Sequence, residues 1–246
     1  MTLLDNWTLG EHTANGVTHP TYRKGDGPGV VVIHEIPGIT PQVIRFAEEV
    51  VDQGHTVVIP HLFGTPGAKM GPASMARAAA QLCVSREFLR MAKGTTTPVA
   101  VWLRSLAKEL HAELGGPGVG AVGMCFTGGY ALAMLADAPI AAPVLAQPSA
   151  PFAVTPGRSR DLGLSPADLD AVKAKVSAGC QVLGLRYAND LAVGKRFDTL
   201  RRELGDSFIA VEFPGIRHAT LTLNRQQEGV DRVLAFLQEK LQTAAG

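Results

Sequence analysis

Cysteine is scarce in this chain: Cys83, Cys125 and Cys180 are its three cysteines among 246 residues. So few and so scattered, they exclude a disulfide framework and a zinc site with paired Cys-x-x-Cys ligands, and they suit a reducing cytoplasm. An excess of either charge is missing too, with 23 basic against 22 acidic residues. No charge field draws the chain to nucleic acid or to an acidic membrane, so a small molecule is the expected partner. No apolar run approaches the roughly 18 residues of a membrane span, and the opening Met1-Thr2-Leu3-Leu4-Asp5-Asn6-Trp7 lacks the basic and apolar regions of a secretory leader. The expectation is a cytoplasmic protein. Neither GxxxxGKS/T nor GxGxxG follows a strand-like run, which argues against a nucleotide site, and no GxSxG occurs at a strand-to-helix junction, which disfavours a serine hydrolase. Linkers, repeats and low-complexity stretches are also wanting, so residues 1–246 read as one domain.

What the chain has is a regular alternation of buried strands and helices. Residues 7–24 read as a hairpin about Asn15-Gly16, placed at the edge of a sheet. Val30-Val31-Val32-Ile33 and Thr56-Val57-Val58-Ile59 are continuous β-branched runs of the kind buried on both faces of a parallel sheet, with a helical pattern over 41–53 between them. Further strands are expected at 119–124, 140–145, 180–187 and 208–213. Helices are expected over 74–92, 98–114, 130–136, from Ser165 onward, 194–204 and 224–242. Ser165-Pro166-Ala167-Asp168 carries an N-cap, a proline at N1 and an acid in the first turn. This is an α/β class with a mainly parallel sheet and helices on both faces. Residues 61–114, opening with a Gly- and Pro-rich loop, read as an insertion that caps the C-terminal edge of the sheet.

The most telling stretch is Val119-Gly120-Ala121-Val122-Gly123-Met124-Cys125-Phe126-Thr127-Gly128-Gly129. An apolar strand breaks at Cys125 and restarts as a helix, the signature of a nucleophile elbow, in which a strained turn lifts one side chain above the sheet. Small residues are needed around such a turn, and Gly123, Gly128 and Gly129 supply them. The bland reading of Cys125 is a small buried hydrophobe. Three other polar residues follow strand ends that converge on the same edge: Glu35, Asp190 and His218. The chain order nucleophile, acid, histidine is that of triads in α/β hydrolases. An imidazole can take the thiol proton near neutrality, and a carboxylate on its far nitrogen fixes tautomer and orientation. Asp198 is the rival acid; Asp190 is favoured because it directly follows a strand. Backbone N–H groups of Ile36 and Phe126 are the matching oxyanion donors. His34 reads as a polar residue filling a strand end, and Cys83 and Cys180 as buried, inert thiols.

The motifs His34-Glu35-Ile36-Pro37-Gly38, Pro60-His61-Leu62-Phe63 and Gly123-Met124-Cys125-Phe126-Thr127-Gly128-Gly129, with Asp190 and His218, resemble the dienelactone hydrolase family of α/β hydrolases with a cysteine nucleophile. The resemblance implies the α/β-hydrolase fold, hydrolysis of a small ester or lactone through an acyl-enzyme on Cys125, and no cofactor or metal. It also implies that Glu35 contacts the resting thiol and is displaced by substrate. Two positions depart from the pattern. Thr127 stands where the family often has glycine, and Thr222 stands where the founding enzymes hold the substrate carboxylate with arginine. Arg86 or Arg217 is then the candidate anion clamp. An alternative on the same fold is a thiol-based sensor or small-molecule binding protein with little turnover.

Overall fold

The computed structural model describes residues 3–85, 88 and 94–242. Strands β1 (Thr8–Ala14) and β2 (Val17–Lys24) form the antiparallel hairpin, with Asn15 and Gly16 both at positive φ, as its two-residue turn requires. They are followed by β3 (Gly29–Ile33), β4 (Thr56–Pro60), β5 (Val119–Met124), β6 (Ile140–Ala146), β7 (Val182–Tyr187) and β8 (Phe208–Phe213). One eight-stranded sheet results, in the order β1-β2-β4-β3-β5-β6-β7-β8. The hairpin pairs antiparallel with β4, and every pairing from β4 across to β8 is parallel. The chain has the α/β-hydrolase fold.

Helices α1 (Pro41–Asp52), α2 (Pro72–Val84), α3 (Pro98–Leu114), α4 (Tyr130–Leu135), α5 (Pro166–Ser177), α6 (Arg196–Leu204) and α7 (Gln227–Leu241) connect and cover the strands. Alternate residues of the buried strands feed two cores. Val31, Ile33, Ala121 and Leu145 face helices α3 to α6, and Val30, Val32, Val122 and Val144 face α1 and α7. That division explains the unbroken β-branched runs, since each strand buries both its faces. Ser165 caps α5 as its sequence promises, its Oγ accepting the Asp168 N–H at 3.1 Å.

The helix expected over 74–92 begins at Pro72 and ends at Val84, and Ser85 is already extended. Residues 86, 87 and 89–92 of that stretch lie outside the described residues. Within the segment 61–114 read as a cap, α3 packs against β1, β3, β5 and α4 and so belongs to the helical layer on the sheet. Phe63 and Phe88, from the same segment, are buried beside Phe126, with ring centroids 6.0 and 5.8 Å from it.

The crossovers set the place of the site. After β3 the chain leaves for the α1 face, whereas after the neighbouring β5 it leaves for the α4 face. Adjacent strand ends whose connections part in this way open a crevice at the C-terminal edge of the sheet. Glu35 and Cys125 lie at those two ends.

Candidate active site

Cys125 begins a short 3-10 turn directly after β5, with φ at 52°. A non-glycine residue in this region stores strain, which persists only where the surroundings enforce it. Gly123 is one such constraint, because a Cβ there would lie 2.4 Å from the Thr127 carbonyl oxygen. Gly128 is another, since its Cβ would lie 2.6 Å from Cα of Pro148. Thr127, the departure from the family pattern, adds a third. Its hydroxyl accepts the Met124 N–H at 3.1 Å and lies 3.0, 3.1 and 3.0 Å from the carbonyl oxygens of Ile33, His34 and Met124. One fully buried hydroxyl therefore fastens the elbow to the end of β3, and the turn closes with glycine displaced by one position.

Asp190 follows β7, and Asp190 Oδ2 lies 2.6 Å from Nδ1 of His218, on the loop after β8. The other carboxylate oxygen, Oδ1, accepts the Ala192 N–H at 3.0 Å, which fixes the acid in its own loop. Asp198, the rival acid, is exposed on α6 and faces Lys195 and Arg201. Burial alone would lower the His218 pKa, but hydrogen bonds to Asp190 and Cys125, with their charges, outweigh it and raise the imidazole to about 10.

Glu35 is buried, and its side-chain hydrogen bonds among the described residues come from Thr222 and Gln147. Thr222 Oγ1 donates to Oε1, and Gln147 Nε2 donates to Oε2 at 3.3 Å. The contact with the thiol that the resemblance implies is thus not the one Glu35 makes here. Thr222, in the place of the family arginine, is absorbed into holding Glu35. Burial pushes the Glu35 carboxyl up, and Thr222, the charge of His218 and Gln147 only partly counter it. His34 is fully buried too. Nε2 of His34 accepts the Leu62 N–H at 3.1 Å, so Nδ1 carries the proton and faces the Glu35 carbonyl at 3.2 Å. Burial lowers His34 to about 3, so this neutral ring fixes the loop bearing Glu35 and Ile36 to the loop after β4 at any ordinary pH.

The loop after β6 escaped the sequence analysis. Gln147 Oε1 accepts from the Thr220 N–H at 3.1 Å and from its hydroxyl at 2.6 Å, so one buried amide joins the loops after β3, β6 and β8. Ser149 Oγ lies 3.4 Å from the Cys125 sulfur. Gln147 and Ala219 are at positive φ like Cys125, and Asn15 of the hairpin turn completes the non-glycine residues so placed among those described. Strain is concentrated where the loops meet. Arg196, at the start of α6, is also buried, and its five N–H groups donate to the carbonyls of Asp161, Ala192, Val193, Pro151 and Arg158. It fastens the long loop after β6 to the loop carrying Asp190.

Of the candidate anion clamps, Arg86 lies outside the described residues, and Arg217 is exposed with no ion pair among them. Cys83 is exposed on α2, contrary to the reading as a buried thiol. Cys180 is half-buried, and burial raises its pKa. Among the described residues no cluster of three or more His, Cys, Asp or Glu has the geometry to hold a metal ion, and no helix is long and apolar enough to cross a membrane.

No curated protein sequence matches the chain. Among solved structures, a dienelactone hydrolase from Anabaena variabilis is 15% identical with a TM-score of 0.66, over 96% of this chain and 98% of that one. A cold-adapted esterase from an Arctic intertidal metagenomic library is 17% identical with a TM-score of 0.63, over 95% and 93% of the two chains. A dienelactone hydrolase-like promiscuous phosphotriesterase from metagenomic libraries is also 17% identical at 0.63, over 96% and 98%. At such identities the likeness is one of fold. In sequence, the model of the dienelactone hydrolase family matches residues 16–161, more than half of the chain, and the chain therefore belongs to the dienelactone hydrolase family of ester and lactone hydrolases.

Proposed function

We propose that the protein hydrolyses a small ester or lactone through a thioester on Cys125. The observation that carries this reading is that Asp190 holds His218 at 2.6 Å, while the imidazole's pKa is raised by its interaction with Cys125, which sits on a strained turn. The Cys125 thiolate attacks the carbonyl carbon, and the charge passes to the carbonyl oxygen, which the N–H groups of Ile36 and Phe126 receive. As the C–O bond breaks, the imidazolium of His218 gives its proton to the departing alkoxide. The neutral imidazole then takes a proton from water, the water oxygen attacks the thioester, and acid and thiolate are released. Asp190 keeps the imidazole in the required tautomer throughout.

A neutral ester fits this site better than the carboxylated lactone of the founding enzymes. Thr222 offers a hydroxyl where they place a guanidinium, and that hydroxyl is already engaged by Glu35. Glu35 in the resting enzyme holds the loop of Thr222 and Gln147 rather than the thiol. Three free cysteines suit work in a reducing cytoplasm.

The test is hydrolysis of p-nitrophenyl acetate across pH by the wild type and by Cys125→Ala, with mass spectrometry of the acid-quenched wild type. The expected outcome is a loss of roughly a thousandfold or more in the variant and an acetyl group on the Cys125 peptide. Equal rates, with no acetylated Cys125, would remove the cysteine from the mechanism.

A further inference from the structure

The loop after β6 touches the reacting sulfur itself. Ser149 is 2% exposed, and its hydroxyl makes its one side-chain hydrogen bond among the described residues to Cys125, at 3.4 Å between Oγ and Sγ. The backbone sets that distance. The Ser149 N–H donates to the Cys125 carbonyl at 2.9 Å, and Pro148 lies against Gly128 so closely that a side chain there could not fit. The serine is therefore clamped to the elbow by a main-chain bond and by packing, independent of its hydroxyl.

Among the described residues, the Ser149 hydroxyl lies within hydrogen-bonding distance of Sγ and the His218 ring interacts with it. A neutral thiol has a single hydrogen to offer between them, whereas a thiolate can accept from both. Glu35, the group the family resemblance placed beside the thiol, spends its hydrogen bonds on Thr222 and Gln147. The position beside the sulfur falls instead to a neutral hydroxyl.

We propose that Ser149 is a catalytic residue whose hydroxyl donates to the Cys125 thiolate and holds it ready in the resting enzyme. The proposal rests on the reading of Cys125 as the nucleophile. Ser149 keeps its proton throughout. When the S–C bond forms, the negative charge leaves the sulfur for the carbonyl oxygen, and the serine's hydrogen bond weakens; when water releases the acyl group, the thiolate and its hydrogen bond return together. The hydroxyl thus favours ionisation of the thiol and makes it an easy leaving group in deacylation.

Iodoacetamide labelling across pH tests this directly, with the Cys125 peptide quantified by mass spectrometry so that Cys83 and Cys180 do not contribute. The expected wild-type midpoint lies below the ordinary thiol value of about 8.5. In Ser149→Ala the midpoint rises by about one unit, so labelling below it slows about tenfold. Ser149→Thr, which keeps a hydroxyl, restores the wild-type midpoint. A Ser149→Ala midpoint equal to the wild-type one, or the same rise in both variants, overturns the role of the hydroxyl. A wild-type midpoint at the ordinary value instead sinks the reading of Cys125 as an activated thiol, so the two failures are told apart.

Discussion

Two charged side chains are buried without an ion-pair partner among the described residues, Arg196 and Glu35, and they are treated in opposite ways. Arg196 has five N–H groups, and each meets a backbone carbonyl, four of these at 2.9 to 3.1 Å. Burial lowers its pKa only to about 10, so it remains a cation at neutral pH. Glu35 has room for about four donors on its two oxygens, but among the described residues its side-chain donors are Thr222 and Gln147. Burial therefore raises it toward the neutral acid. The difference teaches how to tell scaffold from site. A charge whose every hydrogen-bonding group is met by main chain is fixed in place, whereas one left partly unmet can change its protonation state or its partners at small cost.

The contrast is broken most severely at Arg196. Arg196→Met, which keeps much of the volume, leaves carbonyls of two loops without donors and is expected to cost about 3–5 kcal/mol in urea unfolding. A loss under about 1 kcal/mol would show that those carbonyls find water and that the guanidinium is dispensable. Glu35→Gln sharpens the comparison in the other direction. Because the folded-state pKa of Glu35 is raised, the carboxyl is protonated in both states at low pH and adds nothing. As pH rises past the ordinary carboxylate range the unfolded chain ionises first, and the fold loses stability relative to it. The neutral amide escapes that loss. Glu35→Gln is thus expected to be more stable than the wild type at pH 8, with the gap closing near pH 4. Thermal unfolding at the two pH values checks it, and equal stability at pH 8 would mean that Glu35 is as fully satisfied as Arg196. The smallest effect is expected at Asp198, which is exposed beside Lys195 and Arg201. Asp198→Asn should leave ester hydrolysis unchanged and alter stability by less than about 0.5 kcal/mol; a large loss of activity would reopen the assignment of the acid to Asp190.

The strands, the turn at Cys125 and the place of Asp190 at a strand end were legible because each has a local cause. A β-branched run ends, a glycine-flanked residue follows, and parallel topology carries such ends to one edge. What could not be read depends on contacts made across the whole chain. Gln147 meets residues 73 and 112 positions away, and Thr222 meets Glu35 from 187 positions away, with no motif to announce either. Arg196, in Lys195-Arg196 at the start of a polar helix, has the local pattern of a surface charge. Thr127 looked like a defect in a glycine pattern until the carbonyls of Ile33 and His34 came within reach of its hydroxyl. Cys83 was misjudged for the reverse reason: α2 turns it outward, and a lone cysteine in a helix does not declare its face.

The long return of the loop after β8, which brings His218 to Cys125 and Thr222 to Glu35, has a consequence for the protein's synthesis. The ribosome completes β5 and its thiol well before it makes β8 and the imidazole that lies beyond. Throughout that interval the nascent chain carries the elbow without its histidine. The pair of Asp190 and His218 can meet Cys125 only when nearly the whole sheet can close, so the partly made chain lacks the assembled site of the finished one.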